Sequence, residues 1–174
     1  YDETMKFIKN SKSQILFGHL EIDGFAMYKG YVADSGLSKK IFNRYEVVCS
    51  GHYHHKSDDG HIFYLGTPYE IMWNDYDDPK GFHIFDTATR ELERIVNPYK
   101  LFKKIFYDDT DNDYIKHDVD QYKECYVKLI VVNKKDLYGF DQFVDRLLKA
   151  DAYELKIIED FSELDAENVS DDIV

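Results

Sequence analysis

The sequence predicts a mixed α/β fold of the α+β kind, and three observations carry that prediction. Short apolar runs separated by turn residues fill roughly the first hundred positions, as strands do. Further on, one apolar strand is followed by a stripe at helical spacing and then by an alternating run. Finally, 44% of the 174 residues are hydrophobic, with 15 Tyr, 12 Phe and 1 Trp among them. That is enough apolar material for a packed core, which excludes wholesale disorder.

The elements follow in chain order. Asp2 to Lys12 is expected to be helical, with Met5 and Ile8 facing inward. Gln14 to His19 is a brief strand ending at Gly18-His19, and Leu37 to Asn43 is a second helical candidate. Glu46 to Ser50 is a strand ending at Gly51-His52, and Ile62 to Leu65 another. Gly81 to Asp86 and Glu91 to Val96 should form strands joined by a hairpin connection, Asp86-Thr87-Ala88-Thr89-Arg90. Cys125 to Val132 is apolar and rich in β-branched residues. Phe140, Phe143, Val144, Leu147 and Leu148 then fall at i, i+3, i+4, i+7 and i+8, one face of a helix. Tyr153 to Glu159 alternates, so residues 125–159 read as a βαβ unit or a split variant of it. Phe161 to Val174 is acidic and expected to fray.

Charge divides the chain. Residues 1–100 carry a net −3 and residues 101–174 a net −9, within a total of −12. The change falls near Pro98 and runs into Asp108-Asp109-Thr110-Asp111-Asn112-Asp113, a turn-rich acidic segment. We therefore expect a first domain over 1–97, an acidic connection over 98–124, and a second domain with an acidic tail over 125–174. Cys49 and Cys125 lie far apart inside apolar runs, which points to two reduced thiols in a cytoplasmic protein. Apolar runs no longer than the four residues Leu129–Val132 fall well below the about 20 needed to span a bilayer. No basic-then-apolar leader is visible, and an opening Tyr1 that runs straight into a helix reads as a cut end, so an internal fragment of a longer protein is expected.

Of 7 histidines, three stand where chemistry is done. Gly18-His19 ends one strand and Gly51-His52-Tyr53-His54 ends another. Strand tips on a sheet rim are where α/β folds place ligands, and a preceding glycine lets the backbone turn there. Histidines two apart in an extended segment project to one side, about 6–7 Å apart at the backbone. That suits two ligands on one ion, or one ligand on each of two ions about 3.5–4 Å apart. Imidazole accepts Zn, Mn, Fe or Ni, so the metal stays open on spacing alone. A lone strand-end histidine is ordinarily a polar surface residue; the His-x-His pair after glycine is what raises the case. His55 should point the other way and be solvated, His61, His83 and His117 read as structural or surface residues, and Asp75-Tyr76-Asp77-Asp78 reads as a solvated turn before Pro79.

Ile15-Leu16-Phe17-Gly18-His19 followed by Gly51-His52-Tyr53-His54 resembles the last two metal-binding motifs of calcineurin-like metallophosphoesterases. Tyr64-Leu65-Gly66-Thr67-Pro68-Tyr69 and Lys80-Gly81-Phe82-His83-Ile84-Phe85-Asp86 narrow the likeness to the recombination and repair DNA nucleases of that superfamily, the phage branch above all. The resemblance implies the C-terminal half of a phosphoesterase β-sandwich core over 1–97, followed by a strand-helix-strand capping domain. It implies that His19, His52 and His54 are metal ligands, with His52 and His54 catalytic. It further implies a pair of divalent ions, manganese in the family, with His19 and His52 on one and His54 on the other. Two such cations flank a scissile phosphate and lower the pKa of an attacking water. The partners implied are DNA, an SMC-like ATPase subunit and a second copy of the parent through its N-terminal half, with no membrane. The family's earlier motifs, Asp-x-His, Gly-Asp-x-x-Asp and Gly-Asn-His, do not precede Gly18-His19 here. A half-site is therefore expected, inactive by itself.

Two rival functions fit the same residues. One is a non-enzymatic module binding DNA or the ATPase, although a net −12 argues against autonomous DNA binding, which needs clustered Lys and Arg. The other is a phosphomonoesterase of the same superfamily, which suits the histidines but not the Lys80-Gly81-Phe82 strand or the second domain.

Overall fold

A computed structural model of the chain describes residues 2–159, so the acidic tail expected to fray lies outside the described residues. The fold is mixed α/β, with eleven strands in several sheets and two α-helices among the described residues. The chain divides into two compact units: residues 1–70 with 77–98, and residues 71–76 with 99–174.

The first unit is built on a four-stranded sheet of order β1 (Ile15–Gly18), β4 (Val47–Ser50), β6 (Ile62–Tyr64), β5 (Ser57–Asp58). Helix α1 (Asp2–Asn10) precedes β1 (Ile15–Gly18) and turns Ile8 fully inward, with Met5 half-buried. β4 (Val47–Ser50) is buried at every position and lies between parallel neighbours β1 and β6 (Ile62–Tyr64). That explains its unbroken apolar run, since a central parallel strand is covered on both faces. β5 (Ser57–Asp58) adds an antiparallel edge. Two hairpins complete the unit: β2 (Ala26–Tyr28) with β3 (Tyr31–Val32), and β7 (Gly81–Phe85) with β8 (Leu92–Val96). The turn of the second hairpin is the expected Asp86–Arg90 segment: the Asp86 carboxylate accepts from the Ala88 and Thr89 N–H groups, and Arg90 takes a φ of 68°. Leu37–Asn43 is helical only as a short 3₁₀ turn, Lys39–Phe42, which suffices to bury Phe42 completely.

The second unit holds a three-stranded, wholly parallel sheet of order β11 (Glu154–Ile158), β10 (Tyr126–Asn133), β9 (Phe102–Asp108), with one α-helix among the described residues. β10 (Tyr126–Asn133), α2 (Leu137–Lys149) and β11 (Glu154–Ile158) form the βαβ unit that the periodicity predicts. Phe140, Phe143 and Leu147 pack on Ile105, Tyr107, Val127, Leu129 and Val131, whereas Leu148, the last residue of the predicted stripe, is 64% exposed. At about 100° per residue, Leu148 stands roughly 100° round the helix from buried Leu147 and so falls outside the packed face. Asp136 caps α2 by accepting from the Gly139 N–H at 3.1 Å. The Asp109 carboxylate, held below its usual pKa by the N–H groups of Lys135 and Asp136, fixes the turn before it.

Residues 98–124 are more than the connection expected of them. Phe102–Asp108 is β9, paired in register with β10, and Tyr122 of the following turn is buried. Charge concealed the strand: Lys103 and Lys104 interrupt its apolar pattern, and each lies over an aromatic ring, Tyr122 at 5.6 Å and Tyr76 at 4.6 Å. Residues 71–76 join the same unit through Trp73, whose ring stands 4.8 Å from Phe102 and 4.2 Å from the ammonium of buried Lys128. No helix among the described residues is long and apolar enough to cross a membrane.

Both cysteines are free and buried, one in each unit, and burial pushes the Cys49 thiol up to about 11. At pH 8 Cys49 is therefore almost wholly the unreactive thiol. A disulfide-exchange reagent at pH 8 is expected to leave Cys49 unmodified in the native chain and to label it at once in denaturant. Labelling of native Cys49 as fast as a free thiol would show that the strand opens. In the second unit, Phe143→Ala should cost about 3–5 kcal/mol in urea unfolding, because the ring is fully enclosed.

Candidate functional site

The site begins with strand register. β1 and β4 are parallel, with Gly18 opposite Ser50, and the Gly51 N–H donates to the Gly18 carbonyl at 2.9 Å. Adjacent strands lie about 4.8 Å apart, so residues just past these two tips are neighbours on one rim. His19 follows the first tip and His52 the second; both are exposed, and their ring centroids stand 5.3 Å apart, edge to face at 84°.

Three hydroxyl groups hold the rim. Ser50, fully buried, accepts from the Leu20 N–H at 3.0 Å, and its own hydrogen has the Leu20 and Gly51 carbonyls at 3.1 and 3.0 Å. The Tyr64 hydroxyl donates to the Leu20 carbonyl at 2.6 Å and accepts from the Ile22 N–H at 2.8 Å. The Tyr53 ring stacks on Tyr64 at 4.5 Å, and its hydroxyl donates to the Ile22 carbonyl at 3.4 Å. Desolvation pushes both phenols above their ordinary pKa, so they remain neutral donors at any physiological pH.

Glycine at 51 leaves the His19 ring room to lie where it does. A Cβ there would stand 2.9 Å from Nδ1 of His19. His52 adopts a φ of 84°, in the left-handed region where a side chain costs about 1–2 kcal/mol. Backbone strain of this kind concentrates at functional sites.

Beyond the tip, the chain turns back. The His54 carbonyl accepts from the Thr67 N–H at 3.1 Å and from Nζ of Lys80 at 3.0 Å, while the His54 side chain is half-buried. His55 departs from expectation. Its Nδ1 lies 2.9 Å from Oδ1 of Asp78, and the side chain is 28% exposed rather than solvated. Asp75 and Asp78 depart likewise: both are buried, and Asp75 accepts from the Ile71 and Met72 N–H groups. Asp78 is the residue that sequence reading misses. The Asp-Pro dipeptide reads as a turn, and nothing local announces the buried lysine two positions on. His61 bonds the Tyr45 carbonyl at 2.8 Å, His117 the Tyr122 hydroxyl at 2.8 Å, and half-buried His83 is held below its ordinary pKa by desolvation, then by Arg94 and Lys56. The chain's literal Asp-x-His, Asp59-Gly60-His61, is a turn: Asp59 accepts from the His61 and Ile62 N–H groups and pairs with Lys39.

As a metal site the donor set falls short. His19 and His52 converge, but among the described residues no group of three His, Cys, Asp or Glu could hold an ion. Two imidazoles carry no negative charge, and a hard divalent cation wants carboxylate oxygens beside them. A cavity of about 300 Å³ opens beside His19, lined also by Met5, Leu20, Glu21 and Leu37.

Fold and site together define a mixed α/β protein with paired histidines on the rim of a partly parallel sheet. The chain is similar to exonuclease subunit 1 of Enterobacteria phage T4, with 31% identity over 171 residues. That alignment takes in 98% of this chain and 47% of the relative, so the chain spans about half the length of the curated protein it matches. The likeness implied by the two histidine motifs is thus found along nearly the whole chain. No protein-family model matches it.

The rim geometry makes two stability predictions. His52→Gly should leave the unfolding free energy unchanged or raise it by up to about 1 kcal/mol, since glycine adopts a φ of 84° without penalty. His52→Ala, which keeps a Cβ at that φ, should gain nothing from it. Urea titration of both variants checks this, and a loss above about 1 kcal/mol for His52→Gly would mean that ring contacts with His19 and Tyr53 outweigh the strain. Gly51→Ala should displace the His19 ring, read as a changed His19 resonance in NMR.

Proposed function

We propose that this chain is part of a phage-type exonuclease subunit, a metal-dependent DNA phosphodiesterase of the recombination and repair nucleases. The observation that carries the reading is the convergence of His19 and His52 on one rim of a chain similar over 98% of its length to a named exonuclease subunit. On this reading His19, His52 and His54 contribute imidazoles to a dinuclear manganese centre. On the same reading, the carboxylates such a centre needs belong to a segment matching the part of the relative that this chain does not cover. The protein's own contribution is placement. Ser50, Tyr53 and Tyr64 fix the backbone beside the two tips by hydrogen bonds, so the segments that carry the rings are held in place.

Partners follow from the same reading: DNA, an SMC-like ATPase subunit, and a second copy of the parent protein. The word "subunit" in the relative's name supports a multi-chain assembly. A net charge of −12 favours this over the rival binding module, because autonomous DNA binding needs a clustered basic surface.

The test is a manganese-dependent nuclease assay on this chain, on the full-length protein and on its His52→Ala and His54→Ala variants. We expect negligible cleavage from the 174-residue chain, and a loss of at least about 10–100-fold from either variant of the full-length protein. Robust cleavage by the isolated chain, or undiminished variants, would show that the active site lies elsewhere.

A further inference from the structure

We infer that Asp78 and Lys80 are positioning residues for the histidine loop, acting as one buried clamp on His54 and His55; this rests on the function proposed above. Asp78 and Lys80 are 4% and 3% exposed, two of the five buried Asp, Glu, Lys or Arg residues among the described residues. Oδ2 of Asp78 lies 2.8 Å from Nζ of Lys80, and Oδ1 lies 2.9 Å from Nδ1 of His55. The same ammonium donates to the His54 carbonyl at 3.0 Å. One carboxylate and one ammonium therefore hold two consecutive residues of the loop, one by its ring and one by its backbone.

The loop is held from two further directions. The His55 N–H donates to the Met27 carbonyl at 3.3 Å, and the Thr67 N–H to the His54 carbonyl at 3.1 Å. Gly66, at a φ of 72°, lets its own segment pass close to the histidine loop: a Cβ there would meet the His54 carbonyl oxygen at 3.0 Å and the Lys56 nitrogen at 3.1 Å. Lys80 is itself anchored where its strand begins, since the Asn97 N–H donates to its carbonyl at 2.9 Å. A charged pair is a costly way to fill an interior, and apolar residues of the same volume usually serve stability as well or better. What apolar residues do not supply is direction. The clamp makes the peptide after His54 face one way, and with it the side chains on either side. It sits immediately beyond a residue, His52, whose own φ of 84° is unfavourable and must be imposed by its surroundings.

The experiment compares the full-length protein with Lys80→Gln and with the double variant Asp78→Leu/Lys80→Met. The double variant removes both charges, so no unpaired charge is left buried. Two readouts are taken on each: amide hydrogen exchange at His55 and Thr67, with β9–β11 of the second unit as internal control, and the kcat and KM of manganese-dependent DNA cleavage. We expect the double variant to fold with control exchange unchanged. Exchange at His55 and Thr67 should rise at least about tenfold, and kcat should fall about 10–100-fold, the range found when groups orienting a ligand are lost, with KM within about twofold. Should the double variant not fold, Lys80→Gln decides by the same two readouts, with a smaller fall. Unchanged exchange at His55 and Thr67 overturns the clamp, and faster exchange with wild-type kcat overturns its role in the reaction. Absence of cleavage by the wild-type protein would refute the proposed function instead, and the exchange readout would still decide the clamp.

Discussion

The structure of the first unit depends on one register. With Gly18 opposite Ser50 in a parallel pair, two Gly-His tips leave the sheet side by side, and a slip by one residue would send each histidine to a different level of the rim. Ser50 secures that register from inside. A buried hydroxyl must be paired to repay its desolvation, and here the available partners are the backbone groups of Leu20 and Gly51. Tyr64 repeats the device from the neighbouring strand, reaching the Leu20 carbonyl and the Ile22 N–H. The segment after His19 is thus stitched to both β4 and β6.

The rim combines rigidity with local strain, and the two belong together. His52 occupies a left-handed backbone conformation that glycine would adopt freely. Its neighbours sustain it: the Tyr53 ring is wedged against Tyr64, and the His54 carbonyl is held by Thr67 and Lys80. Surrounding structure that over-determines a strained residue is what allows the strain to persist. The same economy governs the second unit, where buried Lys128 lies over Trp73 and β9 carries two lysines against aromatic faces. In both units cations are placed against specific partners: a carboxylate and a carbonyl for Lys80, aromatic rings for Lys103, Lys104 and Lys128.

Much was legible from sequence because the deciding forces were local. Strand tips were marked by Gly-His, the α2 helix by its apolar spacing, and the β7–β8 turn by Asp86 and its following residues. Positions 19 and 52 could be placed at strand tips because a glycine before a strand-end histidine leaves a local mark. The missed features share a different origin. β9 was hidden by its lysines, whose stems lie along the sheet while their ammonium groups find aromatic rings. Asp78 looked like half of a turn, and His55 looked solvated, because each finds the other across 23 residues.

The sequence by itself determined the strands that end at Gly18 and Ser50, the β7–β8 hairpin, the β10-α2-β11 unit and the acidic balance, since hydrophobic period and glycine placement act over a few residues. Only the tertiary structure decided which of the histidines meet. It brought His19 to His52 and tied His55 to Asp78, leaving His61 and His117 bonded to Tyr45 and Tyr122. The physical reason is that each encounter depends on the pairing of distant segments. Parallel register sets the first, and the burial of a carboxylate with a lysine sets the second. Neither leaves a trace in the spacing of residues along the chain.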